Sequence, residues 1–231
     1  MYEKYIKRLL DVTLSFAALV MLSPLLFVLS IVGAIAMGGN PFFVQARPGK
    51  KGKDGKEQIF KLVKFRTMNN KKDKNGNLLP DDMRLNRYGK ILRSMSLDEL
   101  PEFWNILKGD MSIVGPRPQL VRDMVFMTQE QRRRHDVSPG LTGLAQVNGR
   151  NNITWEQKIQ YDLQYIDSGI TFVEDMKIIF QTIGKVLKRR DVVREGTGTD
   201  VDFGDWLIME GRIDIHEYEK KQCEVKEFLK K

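Results

Sequence analysis

The chain has 231 residues, enough for one or two domains, and a composition of 42% hydrophobic and 29% charged residues indicates a globular protein. One cysteine and two histidines exclude an internal disulfide framework and argue against a multi-cysteine or histidine-rich metal centre. The net charge of +8 is uneven, because residues 47–93 hold 15 basic and 5 acidic side chains whereas residues 195–231 hold 6 basic and 10 acidic ones. A basic surface of this kind indicates an anionic partner, which can be lipid headgroups, nucleic acid or phosphorylated small molecules.

An uncharged stretch of 35 residues, 12–46, lies near the N-terminus. Its part from Val12 to Met37 is almost wholly apolar or small, and as a helix it would be roughly 39 Å long, more than the roughly 30 Å hydrocarbon core of a bilayer. A kink is expected at Ser23 and Pro24, because proline removes a backbone donor and crowds the carbonyl of Val20. The serine hydroxyl can hydrogen-bond back to that turn and reduce the cost of the freed carbonyl.

Basic residues flank this stretch on both sides. They are Lys4, Lys7 and Arg8 before it, and Arg47, Lys50, Lys51, Lys53 and Lys56 after it. The positive-inside rule then places both ends on the cytoplasmic face, which one straight span cannot satisfy. We therefore expect a kinked helix that enters and leaves the membrane on one side. A kinked spanning anchor and a secretory signal peptide are the alternatives, although the apolar region of a signal peptide is shorter.

Two short strands, a polar loop and several helices are expected after the apolar stretch. Phe42–Gln45 and Ile59–Phe65 are expected as short strands separated by a turn over Pro48–Lys56, and residues 71–82 as a polar loop. Helices are expected at Leu85–Leu92, Glu99–Leu107, Pro118–Met127, Gln129–His135, Trp155–Asp167 and Phe172–Leu187. The last one, within residues 171–190, fits either an interfacial helix or an ordinary surface helix packed on the core.

Two adjacent carboxylates, Asp98 and Glu99, follow Arg93 and precede Pro101. The proline ring would clash with the carbonyl four residues before it in a helix, so these carboxylates should lie in the first helical turn or cap it. Ser96 and Glu99 have the spacing of a capping box, which gives a purely structural alternative. A carboxylate can also act as a nucleophile towards phosphorus when cations neutralise the charge that would repel it.

Two loops carry further polar groups. Prolines on both sides of Arg117 fix the backbone and favour a directed bidentate contact with phosphate. Residues 138–150 offer hydroxyl, amide and guanidinium groups that can bind a base, a ribose or a diphosphate. No P-loop sequence is present in the chain, so any phosphate chemistry is of another kind.

The ordered motifs are Lys7-Arg8-x-x-Asp11, Ser23-Pro24, Arg47-Pro48-Gly49, Lys64-Phe65-Arg66-Thr67-Met68, Ser96-Leu97-Asp98-Glu99-Leu100-Pro101, Gly115-Pro116-Arg117-Pro118, and Pro139-Gly140-Leu141-Thr142-Gly143 through Gly149-Arg150. Together, over residues 2–194, they resemble the bacterial sugar transferase family, the monotopic phosphoglycosyl transferases. The resemblance is greatest to small members that consist of the catalytic domain alone.

The resemblance implies transfer of a sugar phosphate from a nucleoside diphosphate sugar, usually a UDP-sugar, to undecaprenyl or another polyprenol phosphate, with release of UMP. It implies a two-step mechanism in which Asp98 forms a covalent phosphosugar intermediate and Glu99 is its dyad partner. It also implies Mg²⁺ beside Asp98, phosphate contacts from Arg93 and Arg117, and nucleotide contacts from Thr142, Gln146 and Arg150.

We therefore expect a mixed α/β, mostly helical enzyme with three parts. They are a kinked re-entrant membrane helix in residues 1–39, a cytosolic catalytic domain with interfacial helices in residues 40–194, and an acidic C-terminal extension in residues 195–231. The expected location is the cytoplasmic face of the inner membrane, as a monotopic protein, with a UDP-sugar, polyprenol phosphate and membrane lipids as partners and without nucleic acid.

Two other functions fit the residues. One is a non-catalytic, membrane-tethered basic module that binds anionic lipid or nucleic acid. The other is a one-step transferase in which Asp98 and Glu99 only hold a metal ion.

Overall fold

A computed structural model describes residues 1–149, 153–187 and 201–229. The described chain is mostly helical and contains two small sheets, as expected for a mixed but mainly helical fold. The helices are α1 (Lys7–Met37), α2 (Asp81–Arg84), α3 (Arg87–Ser94), α4 (Glu102–Lys108), α5 (Val121–Met124), α6 (Leu144–Val147), α7 (Trp155–Asp167), α8 (Phe172–Leu187), α9 (Phe203–Met209) and α10 (Ile215–Leu229). The strands are β1 (Phe42–Lys51), β2 (Glu57–Phe65), β3 (Ser112–Val114) and β4 (Gly140–Thr142), and short 3₁₀ helices lie at Leu97–Glu99 and Gln131–His135.

The expected hairpin is present, but its first strand is longer than expected. β1 pairs antiparallel with β2 and continues through Pro48 to Lys51, so the expected turn over Pro48–Lys56 is wrong in its first half. The sheet has only two strands, so each strand has a free edge where a proline lacking its donor is tolerated. The register shifts between Pro48 and Lys51, which is typical of a bulge.

Two other expected helices are shorter in the structure. The expected helix at Pro118–Met127 is a single turn, α5, and the one at Glu99–Leu107 begins only at Glu102. Pro101 occupies the N-cap of α4, because its ring prevents the residues before it from continuing the same helix. The carboxylates at 98 and 99 therefore lie in a separate 3₁₀ turn.

Three apolar clusters hold the body together. The first joins β2 to α4 through Phe60, Leu62, Ile106 and Met111. The second joins β3 to α7 and α8 through Val114, Val147, Tyr165 and Ile178. The third joins α7 to the C-terminal helices through Val125, Phe126, Met127, Trp155, Ile159, Phe203 and Leu207.

Asn105 adds a polar link between α4 and β2. Its side-chain amide donates to the carbonyl of Lys61 at 2.8 Å, and its side-chain carbonyl accepts from the amide of Val63 at 3.0 Å. This buried residue fixes the distance between the strand and the helix. The ends of both elements border the turn that carries Asp98.

Helix α1 is long and apolar enough to cross a membrane, and only 6% of its most apolar 18-residue window is buried. Both of its ends nevertheless contact the rest of the protein. Near the start, the guanidinium of Arg8 donates to the carbonyls of Ile106 and Leu107 at 2.6 and 2.9 Å. Near the end, Asn86 donates to the carbonyl of Ala36 at 3.1 Å, and the Tyr88 hydroxyl donates to that of Leu29 at 2.9 Å.

The Ser23-Pro24 step has the expected local chemistry. The Ser23 hydroxyl donates to the carbonyl of Val20 at 2.8 Å, which is the carbonyl that Pro24 cannot bond. The expected backward hydrogen bond is confirmed. Helix α1 continues through the proline as one element from Lys7 to Met37, and the left-handed Gly38 ends it at φ 64°.

Helix α8 presents one apolar face to solvent and another to the core. Asp175 and Ile178 are buried, whereas Phe172, Val173, Phe180 and Ile183 are exposed. An ordinary surface helix would turn its polar side chains outward. The exposed apolar face is a feature expected of an interfacial helix, and the interfacial position itself stays a prediction.

Candidate active site

A cleft of about 1190 Å³ borders β2, the 3₁₀ turn at 97–99, α7 and the start of α9. Its wall carries charges of both signs, eight basic and eight acidic side chains, contributed by elements far apart in the sequence. These cations include Arg47, Lys64, Arg66, Arg93, Arg117 and Lys158. Asp98 and Glu99 lie in the same wall, so a polyanionic ligand in the cleft would meet both carboxylates and several positive charges.

The turn that carries the dyad begins with an unusual backbone conformation. Ser96 has φ 54°, and it is the only residue other than glycine with positive φ in the described part of the chain. For an L-residue this conformation costs roughly 1–2 kcal/mol. Its hydroxyl makes no capping hydrogen bond at the turn, so the expected capping box between Ser96 and Glu99 is not formed. The capping box is therefore wrong, whereas the catalytic role of the two carboxylates stays a prediction.

Glu99 turns towards two cations instead. Its Oε1 lies 2.5 Å from the Arg117 guanidinium and 3.0 Å from the Lys64 ammonium. Lys64 also lies 2.9 Å from the buried carboxylate of Glu102. The dyad partner is thus part of a network in which two carboxylates share one lysine, and this network holds Lys64 and Arg117 at the cleft.

Asp98 is adjacent to this network and partly buried. Burial raises the pKa of its carboxyl above the ordinary aspartate value, and the neighbouring Glu99 raises it further. Lys64, Arg93 and Arg117 act in the opposite direction, because positive charges favour the ionised form. The surroundings therefore destabilise an isolated anion at Asp98 while they supply charges that suit a phosphate group beside it.

The backbone of Arg117 is fixed by a hydrogen bond from another arginine. Arg134, only 1% exposed, donates to the backbone carbonyl of Arg117 at 2.7 Å and to the carboxylate of Asp162 at 2.5 Å. Charge from Glu99 raises the pKa of Arg117. The guanidinium stays protonated, and both its backbone and its side chain are fixed.

Arg93, the second expected phosphate contact, also lines the cleft. It lies near the end of α3, and its Nε donates to the hydroxyl of Thr67 at 3.1 Å. Burial lowers its pKa, and the charge of Asp98 opposes that shift. The structure thus brings Arg93, Asp98, Glu99 and Arg117 together, although they come from three different segments.

The three expected nucleotide contacts have different positions. Gln146 lines the cleft at 6% exposure, and neither atom of its amide has a hydrogen-bond partner in the described part of the chain. Thr142 is buried in β4, where its hydroxyl lies 2.6 Å from that of Thr182 on α8, and it is not among the residues that line the cleft. Arg150 lies outside the described residues.

Comparison of the sequence with known proteins identifies the family of this chain. The model of the family described as bacterial sugar transferase matches residues 2–189. The chain belongs to the bacterial sugar transferase family. The resemblance drawn from the sequence motifs is confirmed, as is the expectation that the protein is an enzyme, a transferase.

Named relatives give the family context. An uncharacterized sugar transferase, EpsL of Bacillus subtilis (strain 168), is 46% identical over 182 residues, which cover 79% of this chain and 87% of the relative. The UDP-glucose:undecaprenyl-phosphate glucose-1-phosphate transferase of Klebsiella pneumoniae is 41% identical, covering 78% of this chain but 39% of the relative. The galactosyl transferase CpsE of Streptococcus agalactiae serotype III (strain NEM316) is 39% identical, covering 78% of this chain and 42% of the relative.

Several residues of this sugar transferase's cleft were not identified from the sequence as site residues. Lys64 lies within the Lys64–Met68 motif, which by itself gives no role to the lysine, and its buried partner Glu102 is not among the residues that line the cleft. Trp155 and Lys158 of α7 line the cleft, with the Lys158 ammonium 5.0 Å from the centre of the Trp155 ring. A lysine near a tryptophan on a helix gives no signal of its own, because only tertiary packing turns this face towards the dyad.

The carboxylates of the described residues limit how a magnesium ion could be bound. The described residues contain no group of three or more His, Cys, Asp or Glu side chains placed to hold a metal. Mg²⁺ commonly binds through one or two carboxylates and completes its shell with substrate phosphates and water. Asp98 fits such a site as a single protein ligand, whereas Glu99 is engaged by two cations.

Proposed function

We propose that this sugar transferase moves a sugar phosphate from a UDP-sugar to undecaprenyl phosphate, or a similar polyprenol phosphate, and releases UMP. The observation that carries the proposal is the position of Asp98 beside Lys64, Arg93 and Arg117 in the cleft. Relatives named for UDP-glucose and for galactosyl transfer support the substrate class but differ in the sugar. The product, a polyprenol diphosphate sugar, would be the first lipid-linked intermediate of a polysaccharide or another glycan.

The proposed first step forms a bond to Asp98. A carboxylate oxygen attacks the β-phosphorus of the UDP-sugar, and the bond from that phosphorus to the bridging oxygen breaks. UMP leaves with the bridging oxygen and its electron pair, and Asp98 carries the sugar phosphate as an acyl phosphate. Lys64, Arg93 and Arg117 neutralise the negative charges that would otherwise keep the carboxylate and the diphosphate apart.

The proposed second step regenerates the carboxylate. A phosphate oxygen of the polyprenol phosphate attacks the same phosphorus, the acyl phosphate bond breaks, and Asp98 leaves as an anion. Glu99 is our candidate acceptor for any proton that the lipid phosphate carries. Its contacts with Lys64 and Arg117 keep those two cations in place through both steps.

Magnesium is part of the proposal as a bound cofactor. Asp98 would supply the protein ligand, together with oxygens of the diphosphate. When bound there, Mg²⁺ would neutralise part of the diphosphate charge. The protein's own cations would still be needed, because they lie on the walls of the cleft and orient the ligand.

The membrane arrangement we propose is monotopic, on the cytoplasmic face of the inner membrane. Both ends of α1 contact the same body of the protein, at Arg8 and at Ala36, which supports an entry and an exit on one side. The exposed apolar face of α8 and the exposed Trp104 on α4 support an interfacial position of the body. A soluble donor and a lipid acceptor would then meet at the level of the headgroups.

The decisive experiment is trapping of the intermediate. The full chain in lipid nanodiscs is incubated with a panel of UDP-sugars without acceptor, quenched in denaturant and measured by intact mass. We expect one sugar phosphate added per chain, stoichiometric release of UMP, and no adduct with Asp98→Asn. Asp54→Asn, in the exposed turn between β1 and β2, is the matched control and should form the adduct as the wild type does.

Each contrary result has a clear meaning. Turnover with polyprenol phosphate but no trapped adduct would favour the one-step transferase, in which the carboxylates only hold a metal. UMP release that is unchanged in Asp98→Asn would remove the nucleophile from the mechanism. Failure of every UDP-sugar would overturn the substrate class.

A further inference from the structure

The C-terminal extension forms part of the cleft wall. The family match ends at residue 189, yet Val201, Asp202 and Asp205 line the same cleft as Asp98. These residues lie at the start of α9. From the sequence, this region was expected only to be part of an acidic C-terminal extension. The cleft of this protein therefore includes a part that the family pattern does not describe.

The start of α9 is firmly attached to the catalytic domain. Phe203 and Leu207 are buried in the cluster that includes Trp155, and the Phe203 and Trp155 ring centres are 5.0 Å apart. The Trp155 indole donates to the carbonyl of Val201 at 2.9 Å, and the amide of Phe203 donates to the carboxylate of Asp123 at 2.9 Å. Aromatic packing and these two hydrogen bonds thus fix the backbone on both sides of Asp202.

The side chain of Asp202 does not cap α9, the helix that it precedes. It occupies the N-cap of α9 but makes no capping hydrogen bond, although aspartate is among the preferred N-cap residues. Its Oδ2 instead lies 2.6 Å from the Arg122 guanidinium, another residue of the cleft wall. This ion pair uses Oδ2, and Asp202 itself lines the cleft.

The wall of the cleft also contains a side-chain amide without a hydrogen-bond partner among the described residues. Gln146 is buried at 6% exposure, lines the cleft, and has no partner for either amide atom within the described ranges. Buried amides are normally hydrogen-bonded, so this one indicates a polar ligand or ordered water in the cleft. Trp155 adds an apolar ring surface to the same cleft.

We infer that residues 201–205 form part of the ligand-binding wall of the cleft, and that Asp202 is a specificity-determining residue that accepts hydrogen bonds from ring hydroxyls of the ligand. Carboxylates suit this task, because an ionised acceptor forms stronger hydrogen bonds than a neutral one. The ring is either the ribose of the nucleotide or the transferred sugar, since both present neighbouring hydroxyls. The inference rests on the proposed function to the extent that the ligand is a nucleotide sugar.

The test compares Asp202→Asn with Asp214→Asn in the full chain in nanodiscs. Both changes neutralise an aspartate that precedes a C-terminal helix, but Asp214 caps α10 by accepting from the amide of Glu217 at 2.7 Å and does not line the cleft. Loss of a hydrogen bond to a charged acceptor should raise the donor KM about 10-fold in Asp202→Asn. We expect kcat and the KM for polyprenol phosphate to change little, and Asp214→Asn to behave as the wild type.

Inhibition by UMP distinguishes the two rings. If Asp202 binds the ribose, Asp202→Asn weakens inhibition by UMP about 10-fold and removes the preference of the wild type for UMP over its 2′- or 3′-deoxy analogue. If it binds the transferred sugar, inhibition by UMP is unchanged and the relative kcat/KM values of epimeric UDP-sugars shift. Either result supports the inference.

Unchanged donor KM, UMP inhibition and sugar ranking in Asp202→Asn would overturn the inference. An equal change in Asp214→Asn would also overturn it, because the effect would then be a general one on the extension. If no UDP-sugar is turned over, the proposed function fails separately, and calorimetric binding of UDP-glucose decides: weaker binding to Asp202→Asn supports the inference, whereas equal or absent binding overturns it.

Discussion

The guanidinium of Arg117 lies 2.5 Å from Oε1 of Glu99, and this contact joins the loop between β3 and α5 to the turn that carries Asp98. The two residues are 18 positions apart, so the contact depends on how α4 and β3 are packed. Prolines on both sides of Arg117 restrict its backbone, and Arg134 holds its carbonyl. The dyad is therefore positioned by a cation whose own position is independently fixed.

This contact leads to a prediction about the pH dependence of the reaction. In the proposed mechanism Asp98 is ionised when it attacks, and burial raises its pKa, so the acid limb of kcat/KM should lie above the ordinary aspartate value of about 3.9. Arg117→Gln removes a charge that lowers the pKa of Asp98. The acid limb should therefore move to still higher pH, and kcat should fall because a charge partner of the phosphate is lost.

The control is Arg133→Gln, which removes a guanidinium whose partners are Glu130 and Asp167, outside the dyad network. Its pH profile should match that of the wild type. Initial rates of UMP release across a pH range from acid to mildly alkaline would provide the measurement. An acid limb that stays in place, or moves down, in Arg117→Gln would contradict the charge relationship.

Arg134 and Asp162 form a buried ion pair at the wall of the cleft, each no more than 2% exposed in its side chain. Arg134→Met should deprive the Asp162 carboxylate of its arginine partner and cost about 3–5 kcal/mol in the free energy of unfolding. Arg134→Met combined with Asp162→Leu should cost clearly less, because the buried carboxylate is then removed together with its arginine partner. Thermal or denaturant unfolding in nanodiscs would measure Arg134→Met, Asp162→Leu and the double variant. A double variant that loses the sum of the two single losses would contradict this account.

The sequence predicted some elements well for identifiable reasons. Trp155–Asp167 and Phe172–Leu187 have the predicted bounds, because long apolar periodicity marks both helices and a capping box formed by Thr154 and Gln157 starts the first. The hairpin was predicted from its two runs of strand-forming residues, although Pro48 obscured how far β1 extends. In each case the determining signal is local.

The candidate site could be predicted only in part. Asp98, Glu99, Arg93 and Arg117 were found through motifs, and the structure brings them to one cleft. The pairing of Lys64 with Glu99 spans 35 positions and could not be read from spacing. The position of Asp202 depends on Phe203 packing beside Trp155, which no pattern in the acidic extension indicates.

The proposed topology predicts the labelling of single cysteines placed before α1 and in the hairpin turn after it. Cys223 is exposed, so Cys223→Ser provides the background for Lys4→Cys and Lys53→Cys, both at exposed positions. A membrane-impermeant maleimide applied to intact spheroplasts should label neither cysteine, and permeabilisation should expose both. Labelling of one end alone before permeabilisation would indicate a spanning anchor instead.

Gly89 determines how closely α3 approaches the end of β2. A Cβ atom at this position would lie 2.0 Å from the carbonyl oxygen of Thr67, and a backbone oxygen cannot move aside without moving the chain. Thr67 also accepts the hydrogen bond from Arg93, so a shift here should displace Arg93, which is the proposed phosphate contact. Gly89→Ala should therefore lower the free energy of unfolding by about 1–3 kcal/mol and reduce kcat/KM for the donor.

Gly184 on α8 supplies the matched substitution. A Cβ atom there would meet nothing within 4 Å, so Gly184→Ala should stabilise the helix by about 0.5–1 kcal/mol and leave the donor kinetics unchanged. Unfolding and UMP release measured on both variants separate steric displacement from the general effect of replacing a helical glycine. Equal behaviour of the two variants would mean that the close contact between α3 and Thr67 does not position Arg93.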